Sequence, residues 1–185
     1  VNTVPHILKD ESHIEMPYIK AKSLMCCIQD SIKNSREEVL RLLDLLYDNI
    51  LASSDYANSE DNYLLKYCDK QYDFGIILKH AYIDMIPYNC FLIDNKLVFY
   101  DQEFRRDNYP AKYIMYRAIW YMYNFLKDME KYISLEELKE RYGLSEIWYI
   151  CQRAEDEFIE DNRNHNVMKS FYNWLIIDKS IFYKQ

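Results

Sequence analysis

The sequence predicts a mainly α fold with one small β-hairpin, α+β in class. Three observations carry this. Only two glycines, Gly75 and Gly143, and four prolines occur in 185 residues. Apolar residues recur at helical spacing over much of the chain. One pair of short apolar runs flanks a turn at Asp94-Asn95-Lys96. An all-β barrel or sandwich needs many tight turns, and so more glycine and proline than this. Half of the residues are hydrophobic and 29% are charged, which suits a packed core and not a disordered chain. The length fits one domain or one lobe of a larger one.

In chain order, residues 14–19 read as extended, because Pro17 forbids a helix interior or a central strand. A first helix is expected over Ser23–Ile32. A second follows Ser35-Arg36-Glu37-Glu38, a capping box in which Ser35 caps the Glu38 amide and Glu38 reaches back. Val39, Leu42, Leu43, Leu46 and Ile50 then mark its apolar face. Residues 53–62 form a polar link, and Tyr63–Tyr72 is ambiguous, with a short helix as one reading. Ile76–Ile83 suits a strand, and Cys90–Ile93 with Leu97–Tyr100 suits the hairpin. Pro110 fits a first helical turn, with Ile114, Ala118, Tyr121, Met122 and Phe125 on one face. Ser134-Leu-Glu-Glu137 is a second capping box, and Gly143 suits the residue just past the end of that helix. Ser145 suits the cap of a helix through Trp148, Cys151, Glu155 and Phe158. A last amphipathic segment is expected over Val167–Tyr183.

The net charge of -7 and the lack of a Lys/Arg cluster argue against nucleic acid as a partner. No run of about 18 apolar residues occurs, so no membrane span is expected. Val1–Glu11 lacks the basic and apolar regions of a signal peptide. The five cysteines are odd in number, scattered, and without a C-x-x-C pair. Reduced, mostly buried thiols in a cytoplasmic protein are therefore expected, without a zinc site.

The stretch richest in chemistry is Tyr82-Ile-Asp-Met-Ile-Pro-Tyr-Asn89, then the hairpin, then Asp101-Gln-Glu103. It holds D-x-x-P-x-N followed by D-x-E, and resembles the catalytic segment of kinase-like phosphotransferases of the aminoglycoside phosphotransferase and choline kinase branch. The resemblance implies the large, C-terminal lobe of that fold. It implies Asp84 as the catalytic carboxylate beside the attacking hydroxyl, and Asn89 and Asp101, with Glu103, as magnesium ligands. Mg2+ and ATP are the cofactors implied, and a small-molecule hydroxyl, a sugar among the candidates, is the acceptor. Phosphoryl transfer asks a protein chiefly to position two substrates and neutralise phosphate charge, and magnesium takes hard oxygen ligands.

Upstream, Ile14-Glu-Met-Pro-Tyr-Ile-Lys-Ala-Lys-Ser-Leu24 resembles the last small-lobe strand and the hinge, which implies adenine contacts at Met16 and Tyr18. The expected organisation is a remnant of small lobe and hinge over 1–22 and a helical lobe over 23–185. No glycine-rich phosphate loop or strand-borne lysine precedes Ile14, and Tyr82 stands where the family often has histidine. A fragment, or a reduced module, is expected, with the isolated chain not turning over ATP. The same segments, with Tyr113-Ile-Met-Tyr-Arg-Ala-Ile119, also resemble kinase-like pieces appended to methyltransferases or glycosyltransferases of bacterial surface-polysaccharide synthesis. That implies the alternative of a non-catalytic interaction module contacting other domains of a larger chain.

Simpler readings apply elsewhere. Tyrosines at helical spacing (Tyr113, Tyr116, Tyr121, Tyr123) read as core with one wet edge rather than a sugar platform. Arg117 reads as a helix-surface residue, or else as a partner of Glu103 or Asp101. Glu155-Asp-Glu-Phe-Ile-Glu-Asp161 reads as a solvated helix face. His80 reads as structural, and His6, His13 and His165 show no evident partners.

Overall fold

The structure, a computed structural model, describes residues 1–11 and 13–162. The amphipathic segment expected at 167–183, and His165, lie outside them. The fold is α+β, with five helices and three small sheets among the described residues. The strands are β1 (Asn2–Thr3), β2 (Ile7–Leu8), β3 (Ile14–Glu15), β4 (Tyr56–Ala57), β5 (Ile77–Tyr82), β6 (Cys90–Ile93), β7 (Lys96–Phe99) and β8 (Arg105–Pro110). The helices are α1 (Leu24–Ser31), α2 (Arg36–Leu51), α3 (Ala111–Phe125), α4 (Leu135–Arg141) and α5 (Trp148–Asn162).

The sequence accounts for the helices through their caps. Ser23 Oγ accepts the Cys26 amide at 3.2 Å to start α1. Ser35 Oγ accepts the Glu38 amide at 3.2 Å to start α2. The reciprocal half of that box does not form. The Ser35 amide is already given to the Ser31 carbonyl at 2.8 Å, and Glu38 takes Arg41 with both oxygens at 2.7 Å. The α2 face Val39, Leu42, Leu43, Leu46 and Ile50 is fully buried, as its spacing predicts, and packs on α1 and α3. Ser134 caps the Glu137 amide of α4. That helix ends in a paired closure: Leu144 N–H donates to the Lys139 carbonyl at 2.7 Å and Gly143 N–H to the Glu140 carbonyl at 3.1 Å, with Gly143 at φ +62°.

The hairpin β6–β7 forms as expected, with Asp94 and Asn95 at φ +48° and +58° in its two-residue turn. It is not the only β-structure. β1 joins it in parallel, giving a sheet of order β1-β7-β6, and β2 pairs with β3 as an antiparallel ribbon. β5 lies between β4 and β8 in a second three-stranded sheet. Two-residue strands leave no periodicity to read. β8, Arg-Arg-Asp-Asn-Tyr-Pro, is an edge strand with charged outward side chains, so its sequence lacks the apolar alternation of a half-buried strand. Tyr63–Tyr67 resolves as a short 3-10 helix.

α3 differs from the one-sided helix expected. Tyr113, Ile114, Met115, Tyr116, Arg117, Ala118, Ile119 and Met122 are all buried, so it is enclosed nearly all round, while Phe125 is exposed. Of the thiols only Cys90 and Cys151 are buried. Cys27 and Cys68 are half-buried and Cys26 is exposed, which corrects the expectation of mostly buried cysteines; all five are free.

Candidate functional site

β5 delivers Ile83 and Asp84 to the edge of a cleft of about 560 Å³. The Asp84 carbonyl then organises the next turn. It accepts the Ile86 amide at 2.8 Å, Asn89 Nδ2 at 3.2 Å and Gln102 Nε2 at 2.9 Å. Pro87 opens the 3-10 turn Pro87–Asn89, and Tyr100 N–H donates to the Asn89 carbonyl at 2.9 Å. The hairpin thus leaves from Asn89 and returns beside it. Asp101 turns the chain out of β7 at φ +55°, a backbone region that aspartate tolerates better than most residues. Asp84, Asn89, Asp101 and Glu103 all line the one cleft.

Under the cleft lies a buried ionic network. Arg117 Nη1 donates to Asp84 Oδ1 at 3.0 Å and to the Ile83 carbonyl at 2.6 Å. Its Nε and Nη2 donate to Glu155 at 2.7 and 3.3 Å. Tyr113 and Tyr121 also donate to Glu155, at 2.9 and 3.3 Å. The Arg117 guanidinium sits 4.9 Å from the Phe158 ring centre. Burial works against the Arg117 charge, but Glu155, Tyr113 and Asp84 outweigh it and hold its pKa above the ordinary value. Burial raises the Asp84 carboxyl above its ordinary value. Arg117 opposes that rise, and the Asp101 charge adds to it.

Two sequence expectations are corrected here. Arg117 is not on the helix surface and pairs with neither Glu103 nor Asp101; it is 2% exposed and bridges Asp84 and Glu155. Glu155 is not on a solvated face, since it is 1% exposed. Its position was legible in part: it stands four residues after Cys151 and three before Phe158, on the stripe that turns inward. Met16 and Tyr18 are exposed and do not line the cleft. The chain after them rejoins the fold where Leu92 N–H donates to the Lys22 carbonyl. His80 pairs across the β5–β8 ladder with Asp107 at 2.9 Å, a structural role, and His13 contacts Asp10 rather than standing alone.

The donors facing the cleft suit a hard cation. Asn89, Asp101 and Glu103 supply oxygen donors to its lining, which also includes the Arg117 guanidinium, already engaged by Asp84 and Glu155. Asn89 Nδ2 is engaged by the Asp84 carbonyl, so Oδ1 is the atom it has left to offer. Among the described residues no three His, Cys, Asp or Glu side chains group closely enough to hold a metal by themselves. A metal with these ligands would need phosphate oxygens and water to complete its shell.

No family model, no curated protein and no solved structure matches this chain. Among the described residues no helix is long and apolar enough to cross a membrane.

Proposed function

We propose that the cleft is the phosphoryl-transfer site of a kinase-like large lobe, acting with Mg2+ and ATP on a small-molecule hydroxyl, a sugar among the candidates. One observation supports this most: the four oxygen-bearing side chains singled out by sequence spacing, Asp84, Asn89, Asp101 and Glu103, line a single cleft.

In this reading Asp84 accepts the proton of the attacking hydroxyl. A carboxylate has about four acceptor sites. Arg117 takes one and fixes the group's orientation, leaving others for a substrate in the cleft. Without a metal, burial holds the Asp84 carboxyl above its ordinary pKa, the direction a proton acceptor needs, and a cation on Asp101 would oppose that rise. Asn89 Oδ1, Asp101 and Glu103 would hold magnesium, which when bound neutralises charge on the transferring phosphoryl group. Tyr88, half-buried and edge-on to Phe125 at 5.0 Å, supplies a cleft wall against which a substrate can exclude water.

A second reading has one observation in its favour. Asp84 is also what a buried arginine needs as a structural partner, which suits the non-catalytic module, contacting other domains of a methyltransferase or glycosyltransferase in surface-polysaccharide synthesis. Calorimetric titration with ATP, with and without magnesium, separates the two. The transferase reading expects magnesium-dependent ATP binding, weakened about tenfold or more, roughly 1.4 kcal/mol, by Asp101→Asn. Asp84→Asn should leave that binding largely intact. No nucleotide binding under either condition would leave the module reading standing.

A further inference from the structure

A second cavity, of about 600 Å³, lies where the polar link meets the start of β5. Its polar lining includes Glu60, Asn62, Gln71 and Asp73, and its apolar lining includes Tyr72 and Phe74. Asn62 decides what it suits. This side chain is 4% exposed, and its Oδ1 accepts the Leu64 amide at 3.0 Å to start the 3-10 helix Tyr63–Tyr67. Its Nδ2 has no hydrogen-bond partner among the described residues. A buried amide donor without a partner is unfavourable, so the position favours an acceptor from outside, water or a ligand oxygen.

The wall of the cavity is built in advance. Asp73 Oδ1 accepts the Gly75 amide at 2.9 Å. Lys112 Nζ donates to the Asp73 carbonyl at 3.0 Å and to Oδ2 at 3.1 Å, tying this loop to α3. Tyr72 is fixed by its own hydroxyl, which donates to Asp69 at 3.1 Å, and stands edge-on to Phe74 at 6.4 Å.

The lining chooses among ligand classes. An anionic ligand would satisfy Asn62 Nδ2 but meet the Glu60 and Asp73 carboxylates. A cationic ligand would pair with Glu60, Asp73 being already paired with Lys112, but would leave Nδ2 unpaired. Hydroxyl groups do both, since each donates and accepts. A sugar also has C–H faces that pack on aromatic rings, and Tyr72, half-buried in the lining and backed by the core residue Phe74, supplies one. We propose that this cavity is a binding site for a neutral polyhydroxylated ligand, a monosaccharide unit, with Asn62 Nδ2 donating to one of its oxygens and Glu60 accepting from a neighbouring hydroxyl. The site is independent of the Asp84 cleft and does not rest on its chemistry.

The test is NMR titration of the full 185-residue chain, labelled with 15N, by glucose, galactose and N-acetylglucosamine as separate probes. Concentrations should reach the order of 50 mM, because isolated sugars bind at millimolar strength when only a few groups contact them. At least one sugar is expected to shift the Asn62 side-chain amide and the backbone amides of 71–75. Asn62→Asp keeps the acceptor for Leu64 and removes the donor, and should weaken binding about tenfold or more. Because a buried carboxylate can also disturb the fold, Glu60→Ala, at an exposed position, is the second variant and should weaken binding several-fold. No shift at Asn62 with any of the three sugars would overturn the proposal. So would shifts confined to the Asp84 cleft, or unchanged affinity in a folded Asn62→Asp protein. A long-lived water on Asn62 Nδ2 that no sugar displaces would show that solvent alone satisfies the donor, and would overturn it as well.

Discussion

Arg117 is the residue on which the Asp84 cleft rests. Its guanidinium spends donors on Asp84, on the Ile83 carbonyl and on Glu155, and neither Arg117 nor Glu155 retains more than a trace of solvent contact. Removing one member of such a pair strands the other as a buried charge. Glu155→Ala is therefore expected to lower stability by about 3–5 kcal/mol in urea unfolding. The double change Arg117→Met with Glu155→Leu should recover only part of that loss: it removes the stranded charge, but Asp84, the Ile83 carbonyl and the Tyr113 hydroxyl lose their partners. A loss under about 1 kcal/mol in the single variant would mean the pair behaves as an exposed one. The difference between the two halves of this site in legibility has a physical cause. Asp84, Asn89, Asp101 and Glu103 lie close together along the chain, so a turn and a hairpin suffice to gather them, and spacing reveals that. Arg117 and Glu155 meet Asp84 only through the packing of α3 and α5, which no local pattern records.

Two elements owe their stability to features that sequence displays plainly. The β6–β7 turn needs two residues at positive φ, and Asp94-Asn95 supplies types that tolerate it. Asn95→Gly should stabilise the hairpin by a few tenths to about 1 kcal/mol, and Asn95→Val should cost about 1–2 kcal/mol, both readable as shifts in unfolding midpoint. The α2–α4 contact has a pH signature. Arg141 Nε donates to Asp44 Oδ1 at 2.9 Å, Arg141 Nη2 reaches Oδ2, and Tyr142 donates to Oδ1 at 2.9 Å. The Arg141 hydrogen bond comes first among the causes that hold the Asp44 carboxyl below its ordinary value, with Tyr142 adding to it against burial. A carboxyl that is more acidic when folded stabilises the fold above its unfolded pKa of about 3.9 and loses that contribution as pH falls through the folded value. Asp44→Asn should therefore lower stability at pH 7 and flatten its dependence on pH below about 4, as followed by urea midpoints across that range. Where sequence was silent, the elements were short or polar. β1 and β4 are two residues each, and the outward charges of β8 are what protects an exposed sheet edge.

At the scale of the whole molecule, α3 is the spine, and Lys112 at its start is bonded to the loop at Asp73 and lies against the one at Gly143. The chain has only two glycines, and both face this side chain. A Cβ on Gly75 would stand 3.0 Å from Lys112 Cε, and one on Gly143 would stand 3.0 Å from Nζ and 3.2 Å from Cε. Both glycines also hold positive φ, at +64° and +62°. Gly143 therefore serves twice, closing α4 and leaving room for a lysine that is 8% exposed. The ammonium group cannot swing away without leaving the Asp73 carbonyl and carboxylate. Gly143→Ala should then cost more than the roughly 1–2 kcal/mol of an alanine in the left-handed region. The excess should vanish when Lys112 is shortened. In a double-mutant cycle of Gly143→Ala with Lys112→Ala, measured by chemical unfolding, the coupling is expected at about 0.5–3 kcal/mol, with Gly143→Ala milder in the Lys112→Ala background. Additive losses would mean that Lys112 yields freely to the new methyl group, and that its hydrogen bonds to Asp73 do not fix its place beside Gly143.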